Sequence, residues 1–340
     1  MKKKVLHLLA SNSYSGAENV VVTIINNCSD NYDMYYCSPD GAIRDILEKR
    51  NIKYIPIKRL SILELKKIIK KYNIDIIHAH DYKASFLSVF SNTKIISQLH
   101  LNWDFSSSWN LYTIVYRLIM KRFSKIIVVS KEVMEDAIFS KNNYDKFTVL
   151  TNVIDKSEVL RKSKEFKSTY YDLIFVGRLT QIKRPEIVIE ITKRLRNKYP
   201  SIKTCVIGSG ELEKSCKDLI KKYNLENNVE MLGFKENPFP YIKNSKVALM
   251  PSSHEGLGLV AIESMILGTI VLNSGEGGLK TIFTNHSKYI CESIDEYVNK
   301  IDKILNVDKN TYKDDCDKMI KKFADIKKYK KKLISIYEDK

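Results

Sequence analysis

The 340-residue chain contains no run of eighteen apolar residues, so no helix is expected to span a bilayer. The apolar part of MKKKVLHLLASNS, Val5 to Ala10, is too short for a secretory leader and reads as a first buried strand. The six cysteines, at 28, 37, 205, 216, 291 and 316, form no paired spacing. That excludes a disulfide framework and a zinc site from the expectation, and reduced thiols suit a cytoplasmic chain. Zinc-finger and aromatic-basic RNA signatures are missing, so nucleic acid is not an expected partner in spite of a net charge of +17. A G-x-G-x-x-G dinucleotide turn is missing too. The surplus of lysine points instead to anionic lipid or a phosphorylated substrate.

What is present is a recurring pattern. Short aliphatic runs end in polar or glycine residues and are followed by helical periodicity: VLHLLA (5–10), IDIIHAH (74–80), KIISQLH (94–100) and KIIVVS (125–130). YDLIFVG (171–177), KTCVIG (203–208), KVALMP (246–251) and TIVLNS (269–274) form a second set. Such runs predict parallel strands buried on both faces and alternating with helices, hence an α/β fold of two doubly wound, Rossmann-like domains facing across a cleft. The polar stretch 150–172 reads as the linker between them. The expected domains are 1–155 and 156–322, with a C-terminal helix over 323–340 returning to the first. From Met319 to Ile334 the lysine-rich tail spaces its apolar residues as one helical stripe.

Ligands of open α/β sheets sit beyond the carboxyl ends of the strands, which selects the residues to inspect. After strand 171–177 come Arg178 and Lys183, two cations placed to grip phosphate oxygens, with Pro185 opening the next helix. HEGLGLVAIESM (254–265) begins with Glu255, Gly256, Leu257 and Gly258 and then becomes almost wholly apolar from Leu259. Bare glycines at a helix mouth leave its N–H groups open to an anion. Glu263, inside that apolar helix, would pay several kcal/mol of desolvation if unpartnered, so it must meet a cation, backbone donors or ligand hydroxyls. A core arginine is the structural alternative. Gly16 marks another open strand-to-helix turn. His80 and His100 end two strands of the first half, each either a satisfied structural group or part of a site. GSGE (208–211) and SGEGG (274–278) are further glycine turns, individually weak.

Taken together, SGAE (15–18), SQLHLN (97–102), IIVVS (126–130), TNVID (151–155), VGRLTQIK (176–183), IGSGE (207–211), VEMLGF (229–234) and the stretch from MPSSHEG to SGEGG (250–278) resemble retaining glycosyltransferase family 4, which has the GT-B fold. The resemblance implies that Arg178 and Lys183 hold the diphosphate of a nucleotide sugar, assisted by backbone N–H groups after Gly258. It implies that Glu263 accepts hydrogen bonds from the ribose, that Glu255 with Gly256, Leu257, Gly258 and Leu259 lines the donor sugar, and that Phe234 flanks the base. Gly16 would approach the donor phosphates from the other domain, and His100 would reach the reacting centre. Three positions depart from the family pattern: Ser15 and Val153 stand where glycine is common, and Thr281 where glutamate is common.

The expected activity is therefore retaining, metal-independent transfer of a hexosyl or N-acetylhexosaminyl group. The donor is a UDP-sugar co-substrate with no further cofactor, and the acceptor is a glycan or lipid-linked molecule of bacterial surface polysaccharide synthesis. A nucleotide-sugar epimerase of similar scaffold and an inactive transferase-like partner are the rivals. The segment 103–125 carries both tryptophans with Arg117, Lys121, Arg122 and Lys125. It reads either as a core helix or as one lying on an anionic membrane, which would put the protein peripherally at the inner face of the cell membrane.

Overall fold

The structure is a computed structural model describing residues 2–13, 16–100, 108–140 and 144–339. Ser15 and Trp103 lie outside the described residues. The chain divides into one unit of Met1–Val153 with Asp325–Lys340 and a second of Ile154–Ala324.

In the first unit seven strands run β1 (Lys4–Leu8), β2 (Asp33–Pro39), β3 (Tyr54–Ile57), β4 (Ile76–Ala79), β5 (Lys94–Leu99), β6 (Lys125–Val128) and β7 (Phe147–Val149). They pair in the order β3-β2-β1-β4-β5-β6-β7, all parallel. In the second, β8 (Tyr171–Val176), β9 (Thr204–Ile207), β10 (Val229–Gly233), β11 (Ser245–Met250) and β12 (Ile270–Asn273) pair as β10-β9-β8-β11-β12, again all parallel. A helix follows each strand. Parallel strands need such crossovers, and their right-handedness sends the helices to opposite faces on either side of the first strand. The α/β expectation is met. Each sheet reverses its winding once, between β1 and β4 and between β8 and β11. Crevices for ligands open at these points, beyond the carboxyl ends of the strands.

The eight aliphatic runs are all strands, but β2, β3, β7 and β10 carry weaker patterns. YIPI and FTV are short edge strands, and Pro56 is tolerated only because β3 has one free side. VEMLG is a half-exposed edge. DMYYCSP lies inside the sheet, yet alternates aliphatic, aromatic and polar residues.

Two expectations about connections need correction. The stretch 150–172 is not simply a linker: the Asp155 side chain accepts from Ser157 and Glu158 N–H and caps helix Lys156–Lys162, whose Val159 is buried in the second unit. The tail is not one stripe. Helix Lys313–Ile320 ends in a 3₁₀ turn, and Asp325 caps a new helix, Ile326–Glu338, by accepting from Lys328 N–H. Met319, Ile320 and Phe323 bury in the second unit's core. Tyr329, Leu333, Ile336 and Tyr337 are buried on the other side of the break, where the tail helix packs on helix Gly16–Cys28 of the first unit. The apolar periodicity continues across Ala324, but it serves two cores. All six cysteines are free and buried.

Candidate functional site

The reversal between β8 and β11 gathers most of the expected donor residues. β8 ends at Val176, and Gly177 N–H still pairs with Ile207 O at 3.0 Å. The turn after it lies back to back with the turn after β9: Leu179 N–H donates to Ser209 O at 2.9 Å, and Leu212 N–H returns to Leu179 O at 3.0 Å. A Cβ on Gly208 would sit 1.8 Å from Gly177 O, and one on Gly210 2.4 Å from Leu179 O. The GSGE glycines thus allow two backbones to touch, which holds the Arg178 turn in place. Arg178 itself is exposed and makes no ion pair among the described residues.

The chain then turns through Thr180, whose carbonyl accepts from both Lys183 and Arg184 N–H. Arg184 adopts the left-handed conformation (φ 50°) and Pro185 opens helix Pro185–Arg196. This tight turn aims Lys183 at the loop after β11. There its ammonium donates to Glu255 Oε1, which also accepts from Ser252 Oγ at 2.9 Å. Ser253 N–H closes the same contact through Ile182 O at 2.8 Å. Glu255 is buried, Lys183 largely so. Two residues 72 positions apart therefore form one charge pair at the mouth of the crossover.

The glycines of the 255–258 loop play two parts. Gly258 is left-handed (φ 84°) and caps helix Leu259–Ile266 without any side-chain cap bond, so the first turn keeps its N–H groups uncovered by side chains. From the other side, Gly277 and Gly278 wedge against the loop. Gly278 N–H donates to Glu255 O at 2.7 Å, and a Cβ on either glycine would lie 2.1 Å from the Glu255 or Gly256 carbonyl. SGEGG, unremarkable as a motif, is the buttress of the loop.

Glu263 lies on the same helix among buried Ala261, Ile262, Met265 and Ile266. Burial pushes its carboxyl up to about 7, against a pull downward from Lys162 on helix Lys156–Lys162. The cation that acts on Glu263 is a lysine, where the structural alternative is a core arginine. Phe234 follows β10 and is 56% exposed, an uncovered ring beside the same sheet end.

In the first unit Gly16 opens helix Gly16–Cys28 beyond β1, and His100 follows β5. His100 is not alone. His80 Nδ1 and His100 Nε2 lie 2.9 Å apart, and His80 Nε2 and His7 Nδ1 also 2.9 Å apart. His78 Nδ1 meets Tyr337 Oη at 2.8 Å. Burial alone lowers His7 to about 3 and His100 to about 4, and it is the largest cause lowering His78 and His80 as well. All four imidazoles are neutral at physiological pH. Sequence reading selected His80 and His100 and missed His7 and His78. The signal was there: H-x-H on a strand puts both rings on one face, and parallel register sets His7 beside His78.

Ring nitrogens of His7, His78 and His80 lie within 4.8 Å of one another, a spacing that could hold a metal ion. The group includes neither a carboxylate nor a thiolate, and His7 Nδ1 and His80 Nε2 already face each other at 2.9 Å. The hydrogen-bonded array accounts for these rings better.

Comparison with known proteins gives the family. Residues 156–334 match the family model of glycosyl transferases group 1, and residues 14–158 that of Glycosyltransferase Family 4. An uncharacterized glycosyltransferase, MJ1059 of Methanocaldococcus jannaschii, is 32% identical over 62% of this chain and 58% of its own length. The capsular polysaccharide biosynthesis glycosyltransferase CapH of Staphylococcus aureus is 26% identical over 80% of this chain and 81% of its own. The Campylobacter jejuni N-acetylgalactosamine-N,N'-diacetylbacillosaminyl-diphospho-undecaprenol 4-alpha-N-acetylgalactosaminyltransferase is 26% identical over 79% and 80%. Among solved structures, Anabaena Alr3699/HepE in complex with UDP and glucose superposes with a TM-score of 0.84 at 17% identity, over 99% of this chain and all of that one. The group 1 model alone spans more than half of the sequence, and the chain belongs to the group 1 glycosyltransferases, with the GT-B fold.

Proposed function

We propose that the protein transfers a hexosyl or N-acetylhexosaminyl group from a UDP-sugar to a glycan or lipid-linked acceptor of bacterial surface polysaccharide synthesis, with retention of configuration. The observation that carries the reading is the Lys183–Glu255 pair, built from the two loops that flank the β8/β11 crossover, with Arg178 exposed on the loop after β8. A diphosphate entering there meets Arg178, Lys183 and the uncapped first turn of helix Leu259–Ile266, with the carbonyl-braced loop Glu255–Gly258 against the sugar. Charge grows on the diphosphate as the bond to the anomeric carbon breaks, and fixed cations and a helix terminus stabilise it. The bonding pair leaves with the phosphate oxygen. The acceptor hydroxyl adds on the same face, and its proton passes to the departing phosphate. The two cations and the helix end supply the charge stabilisation, so a divalent metal is not required by this reading. Glu263 accepts from the ribose and Phe234 covers the base.

The lipid-linked acceptor draws on two observations. The C. jejuni relative is by name an enzyme of a diphospho-undecaprenol acceptor. The helix Leu111–Ile119, within the segment left open between core and membrane, buries Thr113 and Tyr116 but exposes Leu111 (72%), Tyr112, Ile114 and Leu118 (66%). Arg117 stacks over the exposed Trp109 ring at 5.2 Å, with Lys121 and Arg122 one turn on. An apolar face edged by cations suits an anionic bilayer surface. No helix among the described residues is long and apolar enough to cross one. The test is a thermal-shift screen of nucleotide sugars, then product analysis with polyprenyl-diphosphate acceptors. Stabilisation by UDP-sugars and a lengthened lipid-linked glycan are expected. An epimer formed from the nucleotide sugar alone would refute the reading.

A further inference from the structure

The array His7–His80–His100 reaches from the interior of the first sheet to the carboxyl end of β5. His7 is fully buried on β1, His80 directly follows β4, and His100 is the partly exposed terminus. Each neutral imidazole carries one N–H and one lone pair, so two hydrogen bonds in series allow only two arrangements of protons. In the first, His7 Nδ1–H donates to His80 Nε2, His80 Nδ1–H donates to His100 Nε2, and His100 presents Nδ1–H. In the second every bond reverses, and His100 presents a bare Nδ1 lone pair.

The far end decides between them. His7 Nε2 is buried without a hydrogen-bond partner among the described residues, and so is His100 Nδ1. Each arrangement therefore leaves one orphan donor and one orphan acceptor, at opposite ends. A buried N–H without a partner is rarer in proteins than an under-used acceptor. His7 sits at 0% exposure in the interior of the sheet, whereas His100 is partly exposed just beyond a strand end. Placing the lone pair on His7 and the N–H on His100 lets binding satisfy the orphan donor. We propose that His7 and His80 are positioning residues which hold His100 in its Nδ1–H tautomer, so that His100 serves sugar transfer as a hydrogen-bond donor and not as a general base. This rests on the family resemblance, which implies a part for His100 in the reaction. It also fits the proposed reaction, in which the departing phosphate and not a side chain removes the acceptor proton.

The tautomers are read directly, without activity, in long-range ¹H–¹⁵N spectra of the full-length protein labelled at histidine, with His100 assigned by its loss in His100→Ala. His7, His80 and His100 are expected neutral at pH 7.5, each protonated at Nδ1. A proton on Nε2 of His100, a charged His100, or ring signals that change when a chelator strips a stoichiometric metal would each overturn the proposal. Kinetics supply the second arm. His80→Leu cuts the chain and should release His100 into a tautomer mixture, lowering kcat roughly tenfold, the worth of one hydrogen bond, with UDP affinity unchanged. His80→Gln, whose amide offers a donor and an acceptor, should restore most of that loss. A His80→Leu enzyme with unchanged kcat and an unmoved His100 tautomer overturns the positioning role. Full transfer activity in His100→Ala instead refutes the role of His100 itself, whatever tautomer the spectra report.

Discussion

Replacing Glu263 by glutamine tests the donor site through two quantities that move in opposite directions. The carboxyl is buried and its pKa is raised from 4.5 to about 7 by desolvation. An acid with a raised folded pKa binds more protons folded than unfolded between the two values, so its contribution falls as pH rises from 4.5 to about 7. At about 1.36 kcal/mol per unit, the ligand-free protein loses roughly 3 kcal/mol over that window. Glu263→Gln has no charge to bury. It should match wild type near pH 4.5 and exceed it by about 3 kcal/mol at pH 8 in denaturant unfolding of the ligand-free protein. UDP binding should show the reverse. If the ribose hydroxyls donate to the ionised carboxylate, wild-type affinity is flat above about 7 and weakens tenfold per unit below it. The variant should bind about 10- to 100-fold more weakly at pH 8, with no such pH dependence, since it loses charge-assisted hydrogen bonds. Calorimetry at pH 5.5, 6.5 and 8 measures this. Parallel stability curves for the two proteins, or wild-type UDP affinity that ignores pH through 7, would refute the reasoning.

Arg178→Ala should lower kcat about 100- to 1000-fold while leaving unfolding unchanged, because the side chain is exposed and acts only on growing charge; an unaltered transfer rate would remove it from the site. Lys183→Met leaves Glu255 buried without its cation and should cost about 3 kcal/mol of stability, much of it regained in Lys183→Met/Glu255→Gln. Additive losses in that double variant, by denaturant unfolding, would show that the two side chains do not couple. Neutralising Arg117, Lys121 and Arg122 should weaken sedimentation with anionic liposomes more than neutralising Lys330, Lys331 and Lys332, at about 1 kcal/mol per charge at the surface. The tail lysines are partly committed already, Lys332 to Val149 O and Lys330 to Asp30. Binding indifferent to salt and to both sets would return helix Leu111–Ile119 to a role without membrane.

The sequence by itself determined the α/β class, the eight strongest strands, the family and the positions where charge stands at strand ends. Those features are local: a strand buried on both faces must be aliphatic along its length, and a proline or glycine marks its own turn. Arg178, Lys183, Glu255 and Glu263 could be picked out because a charge at a strand end, or inside an apolar helix, conflicts with its neighbours in the chain. Tertiary structure alone decided what each charge meets. Lys183 finds Glu255 only because β8 and β11 are adjacent at the winding reversal, and Lys162 faces Glu263 only because two helices far apart in sequence pack together. The glycines Gly277 and Gly278 of SGEGG support Glu255 and Gly256, 22 residues before them, a close approach that no local pattern encodes. His7 entered the histidine array the same way: its place beside His78 and His80 follows from the β1/β4 register, which hydrogen bonding between distant segments sets.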